Sequence, residues 1–181
     1  MALEHALLVA LVEKPGSGLE LTRRFEKSFG YFWAATHQQI YRVLGRMVAD
    51  GLLDVEVVAQ DGRPDKKVYA VTDAGRAWIA DWIGTPTPME TLRSDIAVKM
   101  RAASLGDREA VLRNVAAARD DHRVRLAHYR QLEAAYGDLS DLSRLDDVTR
   151  DQYLVLSGGI RMEEYLIAWL TDYLRAYGAD T

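Results

Sequence analysis

The sequence contains no cysteine in 181 residues. This excludes disulfides, cysteine-ligated zinc and thiol nucleophiles together, and it suits a reducing compartment. Proline is scarce, and Pro15, Pro64, Pro86 and Pro88 all precede the second half of the chain. Long apolar runs are missing as well. The N-terminal run ALLVALV has seven residues, far short of the roughly 20 of a membrane-spanning helix. No positive region precedes it and no clear cleavage site follows, so no signal peptide is expected and the location implied is cytoplasmic. Positive charge is not in excess: the net charge is −4 and the pI about 5.6. That argues against a broadly basic nucleic-acid binder. It leaves room for a reader whose cations are confined to the surface that touches phosphate.

Catalytic signatures are missing too. There is no phosphate-binding glycine loop, no nucleophile elbow and no histidine-rich metal spacing. His122 and His128 fall six residues apart on one helical segment and do not converge on a metal. Asp120–Asp121 and Asp146–Asp147 read as solvated charges or helix caps. Neither an enzyme nor a metal or cofactor is expected.

What is present is enough apolar residue for a core, 49%, with an ordinary 28% of charge. The stretch GTPTP at 84–88, followed by a proline-free remainder, marks a boundary. Residues 1–84 form one expected domain, 85–88 a linker and 89–181 a second. The first domain reads as a helix over 2–13, a turn at KPGSG, a helix from Leu19 to about Phe29, and a third helix from Thr36. Leu53, Val55 and Val57 alternate with acids as a half-buried strand; QDGRPDKK turns, and VYAVT at 68–72 returns. Thr72 or Asp73 then caps a helix whose Ala74, Trp78 and Trp82 face inward. Three helices and a two-stranded hairpin are the layout of a winged helix-turn-helix, whose third helix enters a major groove.

The sequence THQQIYRVL opens that third helix. Thr36 and Gln39 stand at the spacing of a capping box. Ile40, Val43, Leu44 and Met47 fall on one face and point to the core, with Gly51 as the left-handed cap. Thr36, His37, Gln38, Gln39, Tyr41 and Arg42 then become candidates for DNA contact. Glutamine can pair with adenine N6 and N7, arginine with guanine O6 and N7 or with phosphate. Tyr41 reads either as an inward-packing ring or as a phosphate donor. Arg63, Lys66 and Lys67 on the hairpin are candidate wing contacts to the backbone or minor groove, beside Asp61 and Asp65. The cluster FGYFW at 29–33 reads as packing between helices rather than as a base-stacking platform.

The second domain is helical in pattern. Leu92, Ile96 and Met100 are four apart within 89–103. A segment from Asp107 to about Tyr136 carries Val111, Val115, Ala118, His122, Leu126, Tyr129, Leu132 and Tyr136 in near-heptad steps. Such a helix would be about 45 Å long. The last segment, about 146–177, carries Leu154, Met162, Tyr165, Leu166, Trp169, Tyr173 and Tyr177. Two long amphipathic helices with few partners suggest an antiparallel, coiled-coil-like homodimer through Val115, His122, Leu126, Tyr129, Met162, Tyr165, Trp169 and Tyr173. Trp169 reads either as dimer core or as the lining of a site for an aromatic ligand. Gly158 and Gly159, each costing about 1 kcal/mol inside a helix, imply a break or a close crossing.

Three segments carry a family resemblance: LLVALVEKPGSGLEL, IYRVLGRMVADGLL and QDGRPDKKVYAVTDAGR. They resemble the PadR family of bacterial transcription regulators. SFGYFWAATHQQIYRVL and AHYRQLEAAY are similar to its AphA-type virulence activators. The resemblance implies a mainly α chain with a small β-hairpin, a winged-helix DNA-binding domain followed by a helical dimerisation domain, and a cytoplasmic dimer without enzymatic activity. Its implied partners are double-stranded DNA, a second copy of the chain and a second transcription factor at the promoter, with no membrane. A ligand-sensing repressor with a small aromatic molecule near Trp169 is the alternative function. A protein-interaction adaptor without DNA binding is a third.

Overall fold

The computed structural model describes residues 2–27, 35–59, 65–88 and 93–180. The chain divides into two compact units, Met1–Met89 and Glu90–Thr181. The FGYFW cluster, Arg63 and Leu92 lie outside the described residues.

The first unit runs α1 (Ala2–Glu13), β1 (Gly16–Ser17), α2 (Gly18–Lys27), α3 (His37–Ala49), β2 (Leu53–Val58), β3 (Lys66–Val71) and α4 (Asp73–Ile83). α1 is central and packs on α2, α3, α4 and β3. Leu7, Leu8 and Leu11 meet Leu21 and Phe25 of α2, Ile40, Val43, Leu44 and Met47 of α3, and Ile79 of α4 in one buried cluster. Full burial of each such side chain contributes about 1.5–3 kcal/mol.

Local chemistry sets the ends. α3 stops where Gly51 adopts φ +73 and Leu52 N–H reaches back to the Met47 carbonyl at 2.9 Å, which satisfies the terminal carbonyls of the helix. Thr72 caps α4, its hydroxyl accepting from Gly75 N–H at 3.1 Å and donating to the Gly51 carbonyl at 2.8 Å.

The sheet is antiparallel with strand order β1-β3-β2. The expected hairpin thus gains a third strand of two residues, Gly16 pairing with Tyr69 and Ser17 with Val68. The returning strand covers 66–71 rather than 68–72. The expected half-burial of β2 fails beyond its first residue. Leu53 is buried, but Val55 and Val57 are exposed, because the face they share with Leu53 runs outward past the end of the core. α4 also corrects an expectation. Gly75 and Ile79 face the core, Ala74 is exposed, and Trp82 is 40% exposed. Trp78 does pack against the core, as expected, and with Trp82 it encloses the His5 ring of α1, stacked at 4.1 and 4.2 Å with planes within 15°.

The second unit holds α5 (Asp95–Arg101), α6 (Arg108–Ala134) and α7 (Asp147–Ala176), with short 3-10 turns at Ala103–Leu105 and Leu142–Arg144. The expected helix over 89–103 is shorter, starting where Ser94 caps Ala97 N–H. Asp107 and Asp146 cap α6 and α7 by accepting from the N–H groups of Ala110 and Thr149, both at 3.0 Å. α6 and α7 pack on each other within the chain. The face of α7 buried in its own unit is Leu156, Ile160, Glu163, Leu170 and Leu174, while Leu154, Met162 and Tyr165, of which Met162 and Tyr165 were expected to pair with a second chain, are exposed. α7 runs unbroken through Gly158 and Gly159. A Cβ at Gly159 would make an ordinary 3.5 Å contact with the Tyr129 ring, so the pair marks neither a break nor a crossing that only glycine admits.

Candidate nucleic-acid interface

The first turn of α3 is built from its own side chains. Thr36 Oγ1 accepts from Gln39 N–H at 3.3 Å, and Gln39 Oε1 accepts from Thr36 N–H at 2.9 Å. Both halves of the capping box are present. This changes the role of Gln39. Bidentate pairing with adenine needs the side-chain oxygen as well as the amide, and here the oxygen holds the helix start.

The core-facing residues of α3 fix which others face away. With Ile40, Val43, Leu44 and Met47 buried, the exposed Gln38 and Arg42 stand one turn apart on the opposite side, with exposed His37 in the first turn. Tyr41 is half-exposed and its ring lies against Gly18 at the start of α2; a Cβ there would meet the Tyr41 ring at 2.4 Å. Arg46 leaves the reading face altogether and pairs with the buried Glu4 of α1. That ion pair ties α3 to α1.

The wing cations also separate. Lys67 is exposed. Lys66 Nζ instead donates to Glu20 Oε1 of α2 at 2.8 Å. The other oxygen of Glu20 accepts from Ser17 N–H at 2.8 Å and from Ser17 Oγ at 3.0 Å, while Ser17 Oγ accepts from Glu20 N–H at 3.3 Å. α2 therefore opens on a second capping box. The Lys66 ammonium, followed by the Ser17 N–H, draws the Glu20 carboxyl down to about 2. Nearby, Arg24 donates to the Ala10 carbonyl at 2.8 Å and to the Lys14 carbonyl, closing the end of α1. Burial lowers the Arg24 pKa, while Glu20 and Glu13 act against that.

The residues expected to pair two chains are split between inside and outside. Val115 and Tyr129 are fully enclosed within their own unit. Burial, and then the nearby Glu163 carboxylate, push the Tyr129 hydroxyl up. His122 Nδ1 lies 2.5 Å from Glu163 Oε2, with Arg125 Nε 3.6 Å from the other oxygen. Leu126 is partly buried. Trp169 and Tyr173 pack against the Leu112, Val115, Leu170 and Leu174 cluster, and the Tyr173 hydroxyl donates to the Met100 carbonyl at 3.3 Å. Met162 and Tyr165 remain 62% and 66% exposed.

Sequence reading missed Ser17, Glu20, Glu4 and Glu163. Ser17-Gly18-Leu19-Glu20 does carry the capping-box spacing, so that signal was available. The partners of Glu4 and Glu163 lie 42 and 41 residues away, where no local pattern reaches.

Three packed helices, a short sheet with a hairpin, and a third helix with its polar side outward define a winged helix-turn-helix. The comparisons with known proteins agree. Residues 7–81 match the Transcriptional regulator PadR-like family, and residues 92–177 match the Virulence activator alpha C-term family. The chain is 47% identical to a probable transcriptional regulator, Rv1176c, of Mycobacterium tuberculosis, over 97% of each protein. It is similar to the structure of the Vibrio cholerae virulence activator AphA, with a TM-score of 0.76, 31% identity and 99% of each chain covered. It is also similar to Bacillus subtilis PadR in complex with operator DNA, with a TM-score of 0.80 and 25% identity over 97% of this chain and 99% of that one. The chain belongs to the PadR-like family of transcriptional regulators. Among the described residues, no helix is long and apolar enough to cross a membrane.

Proposed function

We propose that this regulator is a cytoplasmic, non-enzymatic homodimer that binds double-stranded DNA in a sequence-specific way, with residues 1–84 reading DNA and 89–181 pairing two copies. The observation that carries the reading is the exposed His37, Gln38 and Arg42 surface on the side of α3 away from the core. It occurs in a fold shared with a relative whose structure holds operator DNA. Gln38 and Arg42 are the base-reading pair; Gln39 and Thr36 hold the helix start; Lys67 meets phosphate. Selecting bound genomic fragments yields the operator. On that operator, Arg42→Ala weakens binding by about 1–3 kcal/mol more than on random DNA. Equal loss on both would remove α3 from base readout.

Pairing is supported by a second seam on α7. Val155, Gly158, Met162, Tyr165 and Trp169 recur in steps of three and four. Val155, Met162 and Tyr165 are exposed, and a Cβ on Gly158 would meet nothing within 4 Å among the described residues. Two recognition helices in such a dimer meet successive major grooves about 34 Å apart, or a multiple of that. Trp169 is partly buried against the Leu112, Val115, Leu170 and Leu174 cluster of its own unit, where its ring already has packing partners, and this favours a packing role over an aromatic ligand at that position.

A further inference from the structure

Glu20 joins two elements of the DNA-binding unit. Through Ser17 it caps α2, and through Lys66 it holds the base of β3. Neither task requires its charge. A neutral glutamine serves a capping box equally. β3 is already held on both sides, by the ladder to β1 and by the ladder to β2. The side chains of Lys66 and Glu20 are 31% and 48% exposed, and an ion pair that exposed contributes only about 0–1 kcal/mol to folding. The charge therefore adds little to the fold. It neutralises one of the wing cations and places a carboxylate in a shallow recess lined by Lys14, Pro15, Arg23 and Arg24.

We infer that Glu20 competes with DNA phosphate for Lys66, setting how strongly and how salt-dependently the protein holds DNA. The inference rests on the wing reading above. A lysine already paired within the chain releases no counterion from DNA unless that pair is broken, and counterion release supplies most sequence-independent affinity. Masking Lys66 leaves a larger share of the affinity to α3. That arrangement suits a protein whose net charge is −4.

The full-length protein is tested by fluorescence anisotropy on random-sequence duplex and on a selected fragment, across 50–200 mM salt. Glu20→Gln keeps the cap and frees Lys66. It raises affinity for both duplexes about threefold or more and steepens the slope of log K against log salt by about 0.9, the increment of one phosphate contact. The same substitution made in a Lys66→Gln background produces neither change, because the effect runs through Lys66. A gain that persists there would be a general field effect and would overturn the competition. A flattened slope in Lys67→Gln with no response to Glu20→Gln also overturns it while leaving the wing in place. No response to either substitution brings down the wing reading and the competition together. Thermal melting of Glu20→Gln changes by no more than the roughly 0–1 kcal/mol of an exposed ion pair, and a larger loss would return Glu20 to a structural role.

Discussion

The two units solve burial in different ways. In the first, residues from Leu7 to Ile79 close into one apolar cluster, and the polar side chains of α3 are left outside. In the second, the apolar cluster of Leu112, Val115, Leu170 and Leu174 is small, and among the described residues Arg119 and Glu163 are buried charges beside further apolar side chains. Arg119 is 4% exposed and pairs with Asp180 at 2.5 Å; Glu163 is 5% exposed and faces His122. Meanwhile Met162 and Tyr165 stay outside. A unit that completes its core alone can present a polar surface to a ligand. A unit that leaves Met162 and Tyr165 outside has a surface suited to the pairing proposed above.

Substitutions in the two units should therefore behave differently. Leu44→Ala, at a site with no exposure, destabilises the first unit by about 2–5 kcal/mol in urea unfolding. Leu154→Ala, on the outer face of α7, changes chain stability by less than about 0.5 kcal/mol. Similar costs at both sites would erase the contrast. Next in size, Met162→Glu with Tyr165→Glu converts the dimer to monomer in sedimentation velocity and leaves the melting of the first unit unchanged. A monomeric parent protein would defeat this expectation at once.

Gln39 sharpens the division inside the first unit. Gln39→Ala lowers its stability by about 1 kcal/mol through the lost cap and weakens cognate and random DNA alike, whereas Gln39→Glu retains the capping box. A loss confined to cognate DNA would restore Gln39 as a base reader. The smallest effect is in acid. The Glu20 carboxyl sits at about 2, below its ordinary 4.5. Its contribution is complete above about 4.5 and disappears as the pH falls through about 2. Glu20→Gln should flatten the acid unfolding curve within that window, and an unchanged curve would show that the pairing contributes nothing to stability.

What the sequence disclosed was local. Thr36, Thr72, Asp107 and Asp146 cap the helices that follow them, since a cap and its target lie three residues apart. Gly51 ends α3 because only a left-handed turn closes it. The inward face of α3 was legible in full, since one side of that helix is polar. The inward face of α7 was missed because that helix is apolar on two faces. Its outer seam holds the larger aromatic residues, and these outweigh Leu156, Ile160 and Leu174 in any reading by periodicity. The candidate DNA-facing site was half legible. Residue types drew attention to Gln38, Gln39 and Arg42 together; the capping-box spacing gave Gln39 a second reading, and the geometry selects the cap. Lys66 looked like a free wing cation because its partner is 46 residues away.

The reciprocal bonds between Thr36 and Gln39 fix where the helix proposed to read DNA begins, while the buried Ile40, Val43, Leu44 and Met47 fix its azimuth. Each residue of an α-helix turns the chain by about 100°, so Gln38 and Arg42 keep their direction as long as those four stay buried. Length changes upstream of Thr36 can then accumulate without rotating the face proposed to meet the bases.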